Sequence, residues 1–391
     1  MKILFLSAWF PYPPNNGSKL RIYNLLQGLA REHQVTLITF SENEYTDALT
    51  MLNDLCQNVH IVPAKPYNPK SIRSLIGFFS PEPRVLVDRY VPAMAERIHQ
   101  ELDTDKYDLV IASQWYMAAY WRAYCHLPAI FEEAEVGVFH DKRVQASTIF
   151  SRLRHELTYL KMKVYYRNLL SFFRACTVVS DVERNLLKKM VPNYQAIDVI
   201  PNGVNLVDYT DISEEPQPET LIFTGSFRYS ANYEAMLWFL EEVYPEISSV
   251  IPGVRLIITG DHAGKPIPQT GNISLTGYVN DVRPLIASSW VSIAPIKKGG
   301  GTRLKILEAM ALGTPVVSTP KGSEGLNGYR DEHLFIADTP SAFANKVIEL
   351  LEDSDLRQRI SDNAYQFVRE KYDWAVVMPR FLNLVDRVGA K

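Results

Sequence analysis

Lys305 and Glu308 stand three residues apart, directly after a run of three glycines and Arg303. Read as a helix, that spacing puts both side chains on one face, where an ammonium can meet a phosphate and a carboxylate can accept two hydrogen bonds from a sugar diol. Gly299, Gly300 and Gly301 let the backbone pass close to a ligand, and the helix they open aims unpaired amides and the positive end of its dipole at an anion. Short apolar runs at 291–294, stopped by Pro295, and at 315–319 flank this helix, and Gly313 serves as its C-cap. The segment therefore reads as a βαβ crossover, and ligands of such units sit beyond the carboxyl ends of the strands. The chemistry suggested is a nucleotide-sugar site. Taken alone, the glycines also fit a surface loop before a helix whose Lys305 and Glu308 pair in solvent.

The elements that would carry such a site recur along the chain. Short β-rich runs alternate with longer helical patterns, the sequence form of a doubly wound α/β architecture. Strands are expected at 3–7, 35–40, 60–63, 109–113, 129–131, 175–180 and 198–200 in a first sheet. A second sheet is expected from 221–224, 254–259, 273–275, 291–294, 315–318 and 334–336. Residues 201–205 and the acidic, proline-containing stretch 208–219 read as a hinge and an exposed linker. Two domains, 1–205 and 206–371, and a terminal segment 372–391 follow. In that segment Trp374, Val377, Phe381, Leu384 and Val388 recur near helical spacing.

A chain of 391 residues exceeds what one hydrophobic core organises, so two domains are the prior expectation. A net charge of −3 and a pI near 6.3 speak against a nucleic-acid partner. Cys56, Cys125 and Cys176 are scattered and lack C-x-x-C spacing, which fits free thiols in a reducing cytoplasm and no structural metal. The opening apolar run ends in Pro11, Pro13 and Pro14 rather than at a small-residue cleavage site, so it reads as a buried first strand and not a secretion signal. No segment holds the roughly 18 consecutive apolar residues that would span a bilayer.

Lys305-Ile306-Leu307-Glu308-Ala309-Met310-Ala311, followed by Gly313 and Pro315-Val316-Val317, resembles the donor-helix signature of the group 1 glycosyltransferases, glycosyltransferase family 4. The Asn16-Gly17-Ser18 loop after the first strand, the Val178-Val179-Ser180 strand and the Asn202-Gly203-Val204 hinge fall in the family's order, so the resemblance covers nearly the whole chain. It implies the GT-B fold: two Rossmann-like, doubly wound parallel-sheet domains facing across a cleft, the terminal helix crossing back onto the first. It also implies a retaining, metal-independent hexosyl transfer from a nucleotide-diphosphosugar donor, which is a substrate and not a cofactor, to a glycan or lipid-linked acceptor. The setting implied is cell-surface polysaccharide biosynthesis, in the cytoplasm or peripherally on the inner membrane face.

Arg303, Lys305 and the amides of Gly300, Gly301 and Thr302 are expected to stabilise the leaving diphosphate and Glu308 to hold the ribose, and by this resemblance Gly17 approaches the donor phosphate or the acceptor. Gly277, Tyr278 and Val279 present backbone groups to the base, and Gly225 lets the chain turn below the nucleotide. The sequence departs from the family's best-known pattern in three places. The first glutamate of the usual Glu-x7-Glu pair is Gly300. Arginine and lysine soon after the 221–224 strand give way to a segment whose only cation is Arg228, which is therefore expected to assist Arg303 and Lys305. The histidine often found after the 129–131 strand is replaced by Glu132 and Glu133. Those two, with Glu135 and Arg21, are the candidate acceptor-binding residues, and a solvated loop is the other reading of the glutamates.

Asp103-Thr104-Asp105 and Asp353-Ser354-Asp355 resemble metal-binding triplets, but the first lies in a polar turn before Tyr107-Asp108-Leu109 and the second directly precedes a helical pattern, so they read as a turn and a cap. Residues 151–174 interleave six basic with many apolar and aromatic residues, which fits either a core-facing helix or a membrane surface. Residues 71–79 form a second apolar candidate. Two further functional readings stay open: a GT-B sugar-nucleotide epimerase, and a silent nucleotide-sugar-binding subunit of a polysaccharide assembly complex. Donor turnover separates them, because the subunit consumes none and the epimerase needs no acceptor.

Overall fold

A computed structural model describes residues 1–41, 46–146, 148–268, 271–299 and 304–390. Among them the chain forms two compact units, one of Met1–Pro201 with Met378–Lys391 and one of Asn202–Val377. Each is built on its own parallel sheet.

The first unit carries β1 (Lys2–Ser7), β2 (Gln34–Ser41), β3 (Asn58–Pro63), β4 (Leu109–Ser113), β5 (Ala129–Glu132), β6 (Ala175–Val178) and β7 (Ile197–Val199). They lie side by side in the order β3-β2-β1-β4-β5-β6-β7. The second unit carries β8 (Gln217–Thr224), β9 (Arg255–Thr259), β10 (Ile273–Gly277), β11 (Ser289–Ala294), β12 (Val316–Ser318) and β13 (Phe335–Ile336). Their order is β10-β9-β8-β11-β12-β13. In each sheet the winding reverses once, between β1 and β4 and between β8 and β11, which creates a crevice at the carboxyl ends of those strands. The central strands are apolar throughout because helices cover both faces; Ile3, Leu4, Phe5 and Leu6 are all buried, as are Leu221, Ile222 and Phe223.

The strand expectations hold with end shifts of a few residues, but two assignments change. Residues 217–219, expected in the linker, form the start of β8, where Gln217 pairs with Ser289 of β11. Their polar, exposed character belongs to the part of the strand that overhangs the core. Ser180, expected at the end of a strand, is instead the N-cap of the helix Asp181–Met190, its side chain accepting from the Glu183 amide (3.2 Å).

The unit boundaries lie at 201/202 and 377/378 because the 202–205 segment pairs with the start of the last helix. Val204 donates its amide to the Tyr372 carbonyl (2.9 Å), and the Trp374 amide donates to the Val204 carbonyl (3.0 Å). A Cβ on Gly203 would stand 2.4 Å from the Tyr372 carbonyl oxygen, so only glycine allows this approach. Further along the helix Trp374–Gly389, Met378 packs against Gly28 of the first unit. The five residues expected on its apolar face are all buried. No described helix is long and apolar enough to cross a membrane.

Candidate functional site

In the second unit three glycines close the strands on one side of the reversal, from β8 out to the edge strand β10. Gly225 follows β8, Gly260 follows β9 and Gly277 ends β10, all with positive φ. A Cβ on Gly260 would lie 2.7 Å from the backbone of Gly225, and one on Gly225 would lie 2.8 Å from Lys305 Nζ. The glycines therefore allow the lysine head to sit against the end of β8. Lys305, on the helix Leu304–Ala311, donates to Asn232 Oδ1 (3.1 Å), and Asn232 Nδ2 donates to the Ser226 carbonyl (2.9 Å). The ammonium also lies 4.2 Å from the ring centre of buried Phe223, a cation–π contact. A positive charge is thus held beside the β8–β11 reversal.

Glu308, one turn on, is enclosed by protein although solvent reaches part of it. Burial raises its pKa above the ordinary carboxyl value, while Lys305, the Tyr209 hydroxyl and Arg283 each favour the charged form. Arg283 forms a two-pronged pair with Asp281, at 2.9 and 2.8 Å. That pair sits beside Tyr209, whose own pKa is raised by burial first and by Glu308 second. Asn232, Tyr209 and the Asp281–Arg283 pair carried no spacing signal, because they reach the Lys305–Glu308 face from three separate parts of the chain.

Arg228 is exposed in the turn after β8. Its guanidinium pairs with Asp261 on the exposed loop after β9. The Ala263 amide and then Arg228 hold the Asp261 carboxyl below the usual range. In this structure Arg228 is thus engaged by Asp261. Gly277 ends β10 at the sheet's edge, and Tyr278, exposed, follows it with Val279 next in the same loop. Gly300, Gly301, Thr302 and Arg303, expected at the diphosphate, lie outside the described residues.

In the first unit the carboxyl ends of β1, β4 and β5 converge on a cavity of about 690 Å³. Trp9 Nε1 donates to Gln114 Oε1 (2.8 Å), and Gln114 Nε2 donates to Glu133 Oε2 (3.0 Å). Gln114 and Glu133 both have positive φ, 67° and 57°, rare for side chains of this size. Such geometry survives only where the surroundings over-determine it. Here the Glu133 amide is held by Thr177 Oγ1 (2.9 Å), and the amides of Val136 and Gly137 by the buried Glu183 carboxylate (2.8 and 3.0 Å). Glu135 also lines the cavity, whose walls include Trp115, Tyr116 and Phe139. Gly17 opens the helix Gly17–Ala30, capped by Asn16, and Ser18 beside it reaches the cavity.

Arg21 and Glu132 do not face this cavity, which corrects their assignment to direct acceptor contact. Both side chains are fully buried: Arg21 Nε donates to Glu132 Oε1 (2.7 Å), and Ser113 Oγ donates to Glu132 Oε2 (2.7 Å). The reason is strand alternation, which turns Glu132 inward, whereas the left-handed backbone at the next residue delivers Glu133 to the cavity. The aspartate triplets behave as caps and turns: Asp353 accepts from the Leu356 amide (2.8 Å), and Asp103 lies in the last turn of the helix Pro92–Thr104.

Burial pushes the Glu133 carboxyl up to about 8, with neighbouring Glu132 adding to the effect. The fold thus favours the protonated form over the window from the ordinary value of 4.5 to about 8. In that window the native state binds more protons than the unfolded chain, so this contribution is complete at low pH and is lost as pH rises through about 8. Glu133→Gln is expected to flatten the fall in stability between pH 5 and 8.5, in urea melts at both pH values. Equal falls in the two proteins would show that Glu133 is not enclosed as described.

Two parallel-sheet units with polar residues gathered beyond the strand ends are the layout of the GT-B transferases. A model for "Glycosyltransferase Family 4" matches residues 15–208, and one for "Glycosyl transferases group 1" matches residues 218–353. The chain belongs to this family, the group 1 glycosyltransferases of family 4. A Klebsiella pneumoniae protein described as an uncharacterized 44.6 kDa protein in the cps region is 24% identical, over 95% of this chain and 96% of that one. A phosphatidyl-myo-inositol mannosyltransferase of Mycobacterium leprae is 30% identical, over 49% of this chain and 53% of that one. Among solved structures, Anabaena HepE in complex with UDP and glucose superimposes with a TM-score of 0.66, at 15% identity, over 99% of this chain and all of that one. At that identity the likeness concerns the fold.

Proposed function

We propose that this protein is a retaining glycosyltransferase that moves a hexose-type sugar from a nucleotide-diphosphosugar to a glycan or lipid-linked acceptor in surface-polysaccharide assembly. The observation that carries the reading is Lys305, held by Asn232 against Gly225 at the reversal of the second sheet, with Glu308 one turn along the same helix. That is the place where an open parallel sheet binds a nucleotide, and the charge there suits a diphosphate. Glu308 and its neighbour Tyr209 offer an acceptor and a hydroxyl for a ribose diol. The first unit holds the acceptor in its carboxylate- and aromatic-lined cavity. In the reaction the acceptor oxygen bonds to the anomeric carbon as the bond to the diphosphate breaks. The acceptor proton passes to a diphosphate oxygen, so no side-chain base is required, and the cations stabilise the developing charge. The HepE complex supports UDP as the first nucleotide to try, and the cps-region relative supports the polysaccharide setting.

The test is a thermal-shift screen of UDP-, GDP-, ADP- and dTDP-sugars with and without magnesium, since a ligand binding only the folded state raises its melting temperature. One base giving a magnesium-independent shift that Glu308→Ala abolishes is the expected result. No shift with any donor would count against the donor site. A shift without donor consumption in the presence of acceptor would favour a silent binding subunit.

A further inference from the structure

The helix Ile149–Leu169 is apolar on two faces. Met162, Tyr165, Tyr166 and Leu169 are buried in the first unit, whereas Ile149, Phe150, Leu153, Leu157, Leu160 and Val164 are exposed, Phe150 by 87%. At about 100° per residue the six exposed side chains fall within one arc of roughly 100°, opposite the buried four. The helix Ile72–Ile76 and its exit add Ile72, Leu75, Ile76 and Phe79, the last 93% exposed. Lys161 Nζ joins the two groups by donating to the carbonyls of Gly77 (3.0 Å) and Phe78 (2.7 Å). Single exposed apolar residues need no explanation, but two such clusters pinned together mark an interaction surface.

Charge identifies what covers it. Along the Ile149–Leu169 helix there are five lysines and arginines and one glutamate. By the same wheel Arg152, Lys163 and Arg167 border one side of the exposed arc, and Arg154 and Lys161 the other. An apolar stripe with long cationic side chains on both flanks fits an anionic bilayer, where the stripe enters the headgroup boundary and the cations reach lipid phosphates. The surface is also continuous with the cavity: Phe78, Leu157 and Lys161 line the same space as Gln114 and Glu133.

We propose that this face docks the first unit on an anionic lipid bilayer, with the cavity opening at headgroup level. Resting on the glycosyltransferase reading, an acceptor carried on a lipid then reaches Gln114 and Glu133 without leaving the bilayer.

The test is co-sedimentation with phosphatidylcholine vesicles, with or without about one-third phosphatidylglycerol. Wild type is compared with the triple variant Phe79→Ser, Phe150→Ser, Leu153→Ser, none of whose positions lines the cavity. Wild type is expected to pellet with the anionic vesicles and to be released by salt. The triple variant should partition at least about tenfold more weakly, with an unchanged melting temperature and donor-induced shift. Wild type remaining in the supernatant, or equal partitioning of the two proteins, would overturn the docking. So would a wild-type dimer that the triple variant converts to monomer, since a second copy would then be the occupant. A missing donor shift in both proteins, with vesicle binding intact, would count against the glycosyltransferase reading and leave the docking in place.

Discussion

Lys305→Ala is expected to lower donor turnover by about a hundredfold or more, the usual loss when one preorganised donor to developing charge is removed. Among the described residues Lys305 is a cation held at the β8–β11 reversal, by Asn232. Bonds to a leaving diphosphate strengthen as its charge grows, so kcat should fall more than donor affinity weakens. Asn232→Ala, which removes the group that orients the ammonium, should cost less and should affect both parameters. Lys305 is partly accessible, so its loss should leave the melting temperature within a few degrees of wild type. Unchanged kcat/KM in Lys305→Ala would show that the diphosphate is neutralised elsewhere.

How far this site could be read in advance depended on whether its geometry is local. Lys305 and Glu308 share a helix, and their spacing alone puts them on one face. Likewise the strands were legible because buried parallel strands are continuous apolar runs between turn residues. Asn232 lies 73 residues from its lysine and meets it only through the sheet order. Gln114 and Glu133 become cavity residues through a left-handed backbone, which no composition pattern announces in a non-glycine residue. In Glu132, Glu133 and Glu135 three like residues in one short segment take different environments, the first paired in the core and the other two lining the cavity. The basic, aromatic segment 151–174 admitted a core helix or a membrane surface, and its helix has one face suited to each.

Arg21→Ala should be strongly destabilising to the first unit, on the scale of truncating a fully buried aromatic. Arg21 and Glu132 are buried together, and removing one partner leaves a charge without its neighbour in a medium that solvates it poorly; the typical cost is about 3–5 kcal/mol. At the roughly 2–4 °C per kcal/mol usual for a domain of this size, the melting temperature should drop by some 6–20 °C. The double variant Arg21→Met, Glu132→Leu replaces the pair with apolar groups of comparable bulk, and such exchanges are often neutral, so most of the loss should return. The comparison separates two roles for the pair. If it only fills the core, the double variant will melt and bind like wild type. If the pair also anchors the end of β5, the double variant will fold but lose the pH-dependent stability assigned to Glu133, because the left-handed turn that delivers that carboxyl begins at the residue Arg21 holds. An Arg21→Ala protein that melts like wild type would mean that the burial of this pair is not maintained in solution.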